Sequence, residues 1–147
     1  MLYFAYGFNM QSGHMQECCP GCRLVARALL RDHRLAFSRW WAAWGGGGVG
    51  DIQPAAGRVV EGVVWEITPA HCEALDRFEE YPASYARRDV RVETVDGRIL
   101  AAFAYAARPE GDYRPARAYL GRIIDGAREQ GLSPGYLAFL EAIPTED

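Results

Sequence analysis

Asp96-Gly97 stands between RRDVRVETV and RILAAFAYAA, two runs rich in β-branched, aromatic and alanine residues. The dipeptide favours the left-handed dihedrals of a two-residue hairpin turn, so the runs are predicted to pair antiparallel. RVVEGVVWEI, 58–67, is another strong β run, and it feeds directly into Thr68-Pro69, an N-cap and first-turn proline for a helix to about Phe78. Residues 2–6 alternate as a strand, a short helical stretch follows around Met10–Glu17, and Arg23 to Phe37 reads as strand. Pro115 opens a long helix with an apolar stripe through Tyr119, Leu120, Ile123, Ile124 and Ala127. Gly131 stops it, and a short helix over 134–142 closes the chain. Strands outnumber helices without regular βαβ alternation, so the expected class is α+β.

The 147 residues suit one domain, expected to span 1–147. No apolar run approaches the roughly 20 residues of a membrane-spanning helix, and the first residues lack the basic start and apolar stretch of a secretory signal. A cytoplasmic protein without a membrane partner is the expectation. Every one of the sixteen basic residues is Arg, and they are scattered along a chain of net charge -3, which argues against a nucleic-acid partner. The missing Lys removes Schiff-base chemistry and the lysine of a phosphate-binding loop.

SRWWAAWGGGGVGDIQPAAG reads as a Trp- and Gly-rich loop that covers something. Its Gly45, Gly47 and Gly50 match GxGxxG, but DIQPAAG is a poor helix, and a dinucleotide site needs a helix beginning in the glycines. CCPGC contains a Cys19-x-x-Cys22 spacing, yet no second pair supports zinc and no helix follows for a redox motif. Cys18, Cys19, Cys22 and Cys72 are expected to be ordinary reduced thiols. His14, His33 and His71 show no ligand spacing, so no metal site is expected, and the serines lack a nucleophile elbow.

One carboxylate is out of place on the helix PAHCEALDRFEE. With Leu75 at the centre of the apolar face and about 100° per residue, Cys72 falls near 60° and Phe78 near -60°. Glu73, Asp76, Arg77 and Glu80 turn toward solvent at about 100–200°, whereas Glu79 lies near 40°, inside the apolar face. Either the helix has already ended and Glu79 caps, pairs with an Arg or dangles, or its carboxyl is held against apolar surface. In the second case desolvation raises its pKa and suits it to acid/base work.

YFAYGFNM resembles the YFAYGSN signature of the γ-glutamylcyclotransferase-like (AIG2-like) family, and LDRFEEYP resembles its LDxxEG segment, whose glutamate is catalytic. VVEGVVWEI, ASYARRDVRV and the carboxy-terminal YLGRIIDGAREQGLSPGYLAFLEAI extend the resemblance, in family order, over nearly the whole chain. It implies a mixed β-barrel-like core flanked by helices, with a pocket where the first strand's turn meets the helix bearing the glutamate. Glu79 is then the implied catalytic acid/base. Tyr3, Phe4, Ala5, Tyr6, Gly7, Phe8 and Asn9 are the implied substrate wall, joined by Tyr85 and Tyr119. Backbone amides of the Gly7 turn would hold substrate oxygens, and no cofactor is implied.

The reaction the resemblance implies is cyclisation of a γ-glutamyl group to 5-oxoproline with expulsion of its amine. Two positions depart from the family pattern: Phe8 replaces Ser in the signature, and Glu80 replaces the Gly that follows the glutamate. The Phe8 ring either shrinks the pocket or packs under the Trp40–Trp44 segment. These departures keep open a non-catalytic ligand-binding protein, or an altered substrate such as a γ-glutamyl amine against a wall of Trp side chains.

Overall fold

The computed structural model describes residues 1–147 and has the expected α+β architecture. Its strands are β1 (Leu2–Ala5), β2 (Arg23–Trp41), β3 (Gly47–Glu66), β4 (Tyr85–Thr94) and β5 (Ile99–Ala107). They form a closed barrel in the order β1-β3-β2-β4-β5. Four junctions are antiparallel, and the parallel contact of β1 with β5, Tyr3 opposite Phe103, closes the ring. The helices are α1 (Ser12–Cys18), α2 (Pro69–Phe78), α3 (Arg117–Glu129) and α4 (Pro134–Glu141). None is long and apolar enough to cross a membrane.

The β4–β5 hairpin is present, with a turn one residue longer than the dipeptide suggests. Thr94 and Arg98 still bond across the strand ends, leaving Val95, Asp96 and Gly97 as a three-residue turn with Gly97 left-handed at φ 90°. The start of α2 follows its sequence signal closely. The Thr68 hydroxyl accepts from the His71 amide, and His71 Nδ1 accepts from the Thr68 amide, both at 3.2 Å.

The Trp- and Gly-rich stretch is not the loop that its composition suggests. β2 and β3 run through it as one long hairpin, paired from Arg23 opposite Glu66 to Trp41 opposite Gly47, with a 3-10 turn at the tip. Register shifts at Leu24/Ala26, Arg31/His33 and Phe37/Arg39 bend strands of 19 and 20 residues around the barrel. The glycines are strand residues because neighbours pass too close for side chains. A Cβ on Gly48 would lie 2.8 Å from that of Phe37 and 2.9 Å from that of Tyr113, and one on Gly47 would strike the Ala116 backbone.

Aromatic and aliphatic side chains fill the core, with Phe4, Met10, Trp65, Leu75, Tyr105 and Ile123 almost entirely buried. The free thiols of Cys19, Cys22 and Cys72 lie within it or at its edge. Burial pushes the Cys19 thiol up to about 12, which keeps it protonated and unreactive.

The barrel wall tolerates no added atom at Gly62 of β3, where a Cβ would collide with the Ala5 carbonyl and lie 2.9 Å from Phe4 Cζ. Gly62→Ala is expected to cost about 1–3 kcal/mol, read as a lower urea midpoint. Gly121→Ala, facing open space inside α3, is expected to stabilise by up to about 1 kcal/mol in the same assay.

Candidate active site

The short chain after β1 is held from two sides, which fixes the turn at one end of the barrel. Trp65 on β3 donates its indole N–H to the Asn9 carbonyl at 3.0 Å, and Gln130 beyond α3 donates to the Met10 carbonyl at 2.9 Å. Gly126 lets α3 approach closely, since a Cβ there would lie 3.1 Å from Gln11 N and Met10 Cβ. The turn itself closes by Met10 N–H donating to the Gly7 carbonyl. The Gly7 amide donates to no protein acceptor, and Gly7 lines a cavity of about 320 Å³. The Gly7 N–H is therefore left free of protein partners beside that cavity.

Glu79 resolves the ambiguity of the helix wheel in an unforeseen way. The helix does end at Phe78, and Glu79 is its C-cap, with its amide donating to the Leu75 carbonyl at 2.8 Å. The side chain nevertheless enters the cavity instead of reaching solvent or an Arg. It has no cation partner, and its one polar contact is a long 3.4 Å bond from Asn9 Nδ2, which also donates to the Tyr3 hydroxyl at 2.9 Å. Burial, only partly offset by the Asn9 bond, pushes the Glu79 carboxyl up to about 8.

Two tyrosines of the cavity wall hold Gly50, one through its N–H and one through its carbonyl. Gly50 N–H donates to the Tyr119 hydroxyl oxygen at 2.9 Å, and the Tyr85 hydroxyl donates to the Gly50 carbonyl at 2.6 Å. Tyr119 thus keeps its proton for a ligand, while Tyr85 keeps lone pairs. The Tyr6 hydroxyl donates to the Tyr105 carbonyl, and the Tyr105 hydroxyl donates to Asp76 at 2.6 Å. Asp76 in turn pairs with Arg87 at 2.7 Å, tying the end of α2 to β4 and β5. This corrects the wheel, which sends Asp76 to solvent. Phe78 departs from it in the other direction, being 39% exposed at the cavity edge.

Tyr3, Tyr6, Gly7, Phe8, Asn9, Tyr85 and Tyr119 all line the cavity with Glu79. Phe4 and Ala5 do not. Strand alternation places the Phe4 ring against Gly62, and Ala5 presents its carbonyl to the same glycine. Phe8 does both things open to it from sequence: its ring lines the cavity and packs 5.7 Å from Trp44 and 6.2 Å from Tyr119. Gly50, Tyr105, Arg39 and Phe78 are cavity residues without a recognisable sequence signal, because only the bent hairpin and the closed barrel bring them in. No group of three or more His, Cys, Asp or Glu side chains converges as a metal ion would require.

The buried carboxyl makes stability pH-dependent. Below 4.5, the ordinary value, folded and unfolded chains both hold the Glu79 proton; from there to about 8 only the folded chain keeps it. Stability at this site therefore falls as pH rises through that window and levels off above it. Glu79→Gln is expected to match wild type near pH 4 and exceed it by roughly a few kcal/mol near pH 9, measured by urea denaturation at both values.

A family model described as "Gamma-glutamyl cyclotransferase, AIG2-like" matches residues 3–122. The human γ-glutamylcyclotransferase is 30% identical over an alignment covering 99% of this chain and 80% of the human protein. A solved γ-glutamyl cyclotransferase structure superposes with a TM-score of 0.93 at 29% identity, covering 99% of this chain and 89% of that one. A yeast γ-glutamyl cyclotransferase specific to glutathione shares the fold, with a TM-score of 0.68 at 13% identity over 95% of this chain and 93% of its own. Fold and sequence match agree: the chain belongs to the AIG2-like γ-glutamyl cyclotransferase family.

Proposed function

We propose that this protein cyclises the γ-glutamyl group of a γ-glutamyl amino acid or amine to 5-oxoproline, with Glu79 as general acid/base. The observation that carries the reading is the Glu79 carboxyl, enclosed at the cavity wall with no cation and a pKa raised to about 8. A buried carboxyl without a counter-charge is costly to a purely structural site and useful to proton transfer near neutral pH.

The α-amine of the substrate attacks its own γ-carbonyl carbon, so a C–N bond forms as the original amide C–N bond breaks. Glu79 takes a proton from the attacking nitrogen and returns it to the leaving amine, leaving atoms and charge balanced without water or a covalent enzyme intermediate. The Gly7 turn amides receive the α-carboxylate or the developing oxyanion, and the Tyr119 proton supports them. The cavity's main contribution is to hold the γ-glutamyl chain folded, with amine and carbonyl in contact. The four free thiols suit a reducing, cytoplasmic compartment.

Incubation with γ-glutamyl amino acids and amines, followed by 5-oxoproline release, tests this reading. Wild type is expected to turn over, with kcat/KM rising with pH through about 8 as the base ionises. Glu79→Gln is expected to lose about 10²–10⁴-fold and with it that pH limb. Ligand binding without product from wild type would favour a non-catalytic binding protein.

A further inference from the structure

We propose that the leaving group this cavity accepts carries an aromatic ring, received by Trp41 and Trp44 at the tip of the β2–β3 hairpin. The inference rests on the cyclisation proposed above and names the substrate class for the same site.

The cavity has two chemically different ends. Its floor is built from buried tyrosines, Asn9 and the Glu79 carboxyl, groups that match the amine, carboxylate and carbonyl of a γ-glutamyl unit. Its mouth is aromatic: Trp40, Trp41 and Trp44 are 46%, 44% and 36% exposed and line the same cavity, with Phe8 packed on Trp44 and Phe78 at the edge. Three half-exposed indoles on one hairpin tip leave apolar surface in water, and that cost is recovered only when something apolar covers them.

The tip is shaped to present those rings. Trp44 sits at φ 64°, a left-handed conformation that is strained for a bulky residue. That backbone brings its ring 5.7 Å from Phe8 and 6.5 Å from Tyr119, so it continues the cavity wall outward. Arg122 on α3 backs the pair, with its guanidinium 4.8 Å from the Phe8 ring centre and 5.7 Å from that of Trp44.

Charge at the mouth argues against an acidic leaving group. Arg39 is the only cation lining the cavity, and it already donates to the Arg108 carbonyl at 2.8 Å and lies 3.8 Å from Glu110. Glu80, which lines the same cavity, adds a carboxyl and no counter-charge for an acidic leaving group. A ring that follows the scissile amide out of the cavity meets the indoles and displaces water from both partners.

The test compares kcat/KM for γ-glutamyl-tryptophan, γ-glutamyl-phenethylamine, γ-glutamyl-alanine and γ-glutamyl-glutamate. Both aromatic substrates are expected to exceed γ-glutamyl-alanine by about tenfold or more, and the glutamate compound to be poorest. A preference for the tryptophan over the phenethylamine compound would assign an aromatic amino acid as leaving group, and the reverse an aromatic amine. In Trp41→Ala and Trp44→Ala the aromatic-to-alanine ratio is expected to fall toward one, and in Trp44→Phe to persist. Equal rates for aromatic and alanine substrates, or a ratio untouched by both alanine variants, overturns the proposal. If no compound yields 5-oxoproline the cyclisation reading fails, and quenching of Trp fluorescence by the same compounds still decides the mouth: tighter aromatic binding upholds it and equal binding overturns it.

Discussion

Closure of the sheet through one short strand governs everything at the candidate site. β1 has only four residues, yet it pairs with β3 on one side and with β5 on the other, where Tyr3 stands opposite Phe103. Because β1 completes the ring, the chain leaving it must turn at the barrel's end, where α2 terminates and α3 crosses. A strand four residues longer would carry Gly7 and Asn9 into the wall and leave no turn to meet Glu79. The brevity of β1 is therefore as functional as any side chain that it positions.

The carboxyl of Glu79 depends on that arrangement and on the anchoring of its own helix end. Asp76, one turn earlier, is fixed by Arg87 and Tyr105, which connect α2 to β4 and β5. An exposed Arg–Asp pair alone is worth little, but here it belongs to a network that includes a buried tyrosine. The helix can end at Phe78 and still aim its capping residue inward because the preceding turn cannot rotate away.

What the sequence discloses follows the range of the forces involved. The Thr68–His71 cap, the Asp96-Gly97 turn and the apolar stripe through Tyr119 and Ile123 are local, and each is readable from a few neighbouring residues. Glu79 is legible by periodicity, since a carboxylate on an apolar face conflicts with the rest of its helix. The strand character of Gly47, Gly48 and Gly50 is not, because their lack of side chains answers to Ala116, Phe37, Tyr113 and Tyr119, all distant in sequence. Asp76 escapes the wheel for the same reason: the wheel treats everything beyond the apolar stripe as solvent, and strands β4 and β5 occupy part of that space. Phe4 and Ala5 adjoin the turn in sequence, yet strand alternation and close packing on Gly62 keep them out of the cavity.

The Gly50 peptide has a consequence that reaches beyond holding two tyrosines in place. One hydroxyl accepts from its N–H and the other donates to its carbonyl, so the Tyr85 proton is engaged and one Tyr119 lone pair is occupied. Tyr119 is thereby biased toward donating and Tyr85 toward accepting before any ligand enters. The cavity wall thus carries a built-in polarity, set by the two peptide groups that flank one glycine. A residue without a side chain becomes, in this sense, the part of the wall that sets which hydroxyl offers a proton and which offers a lone pair.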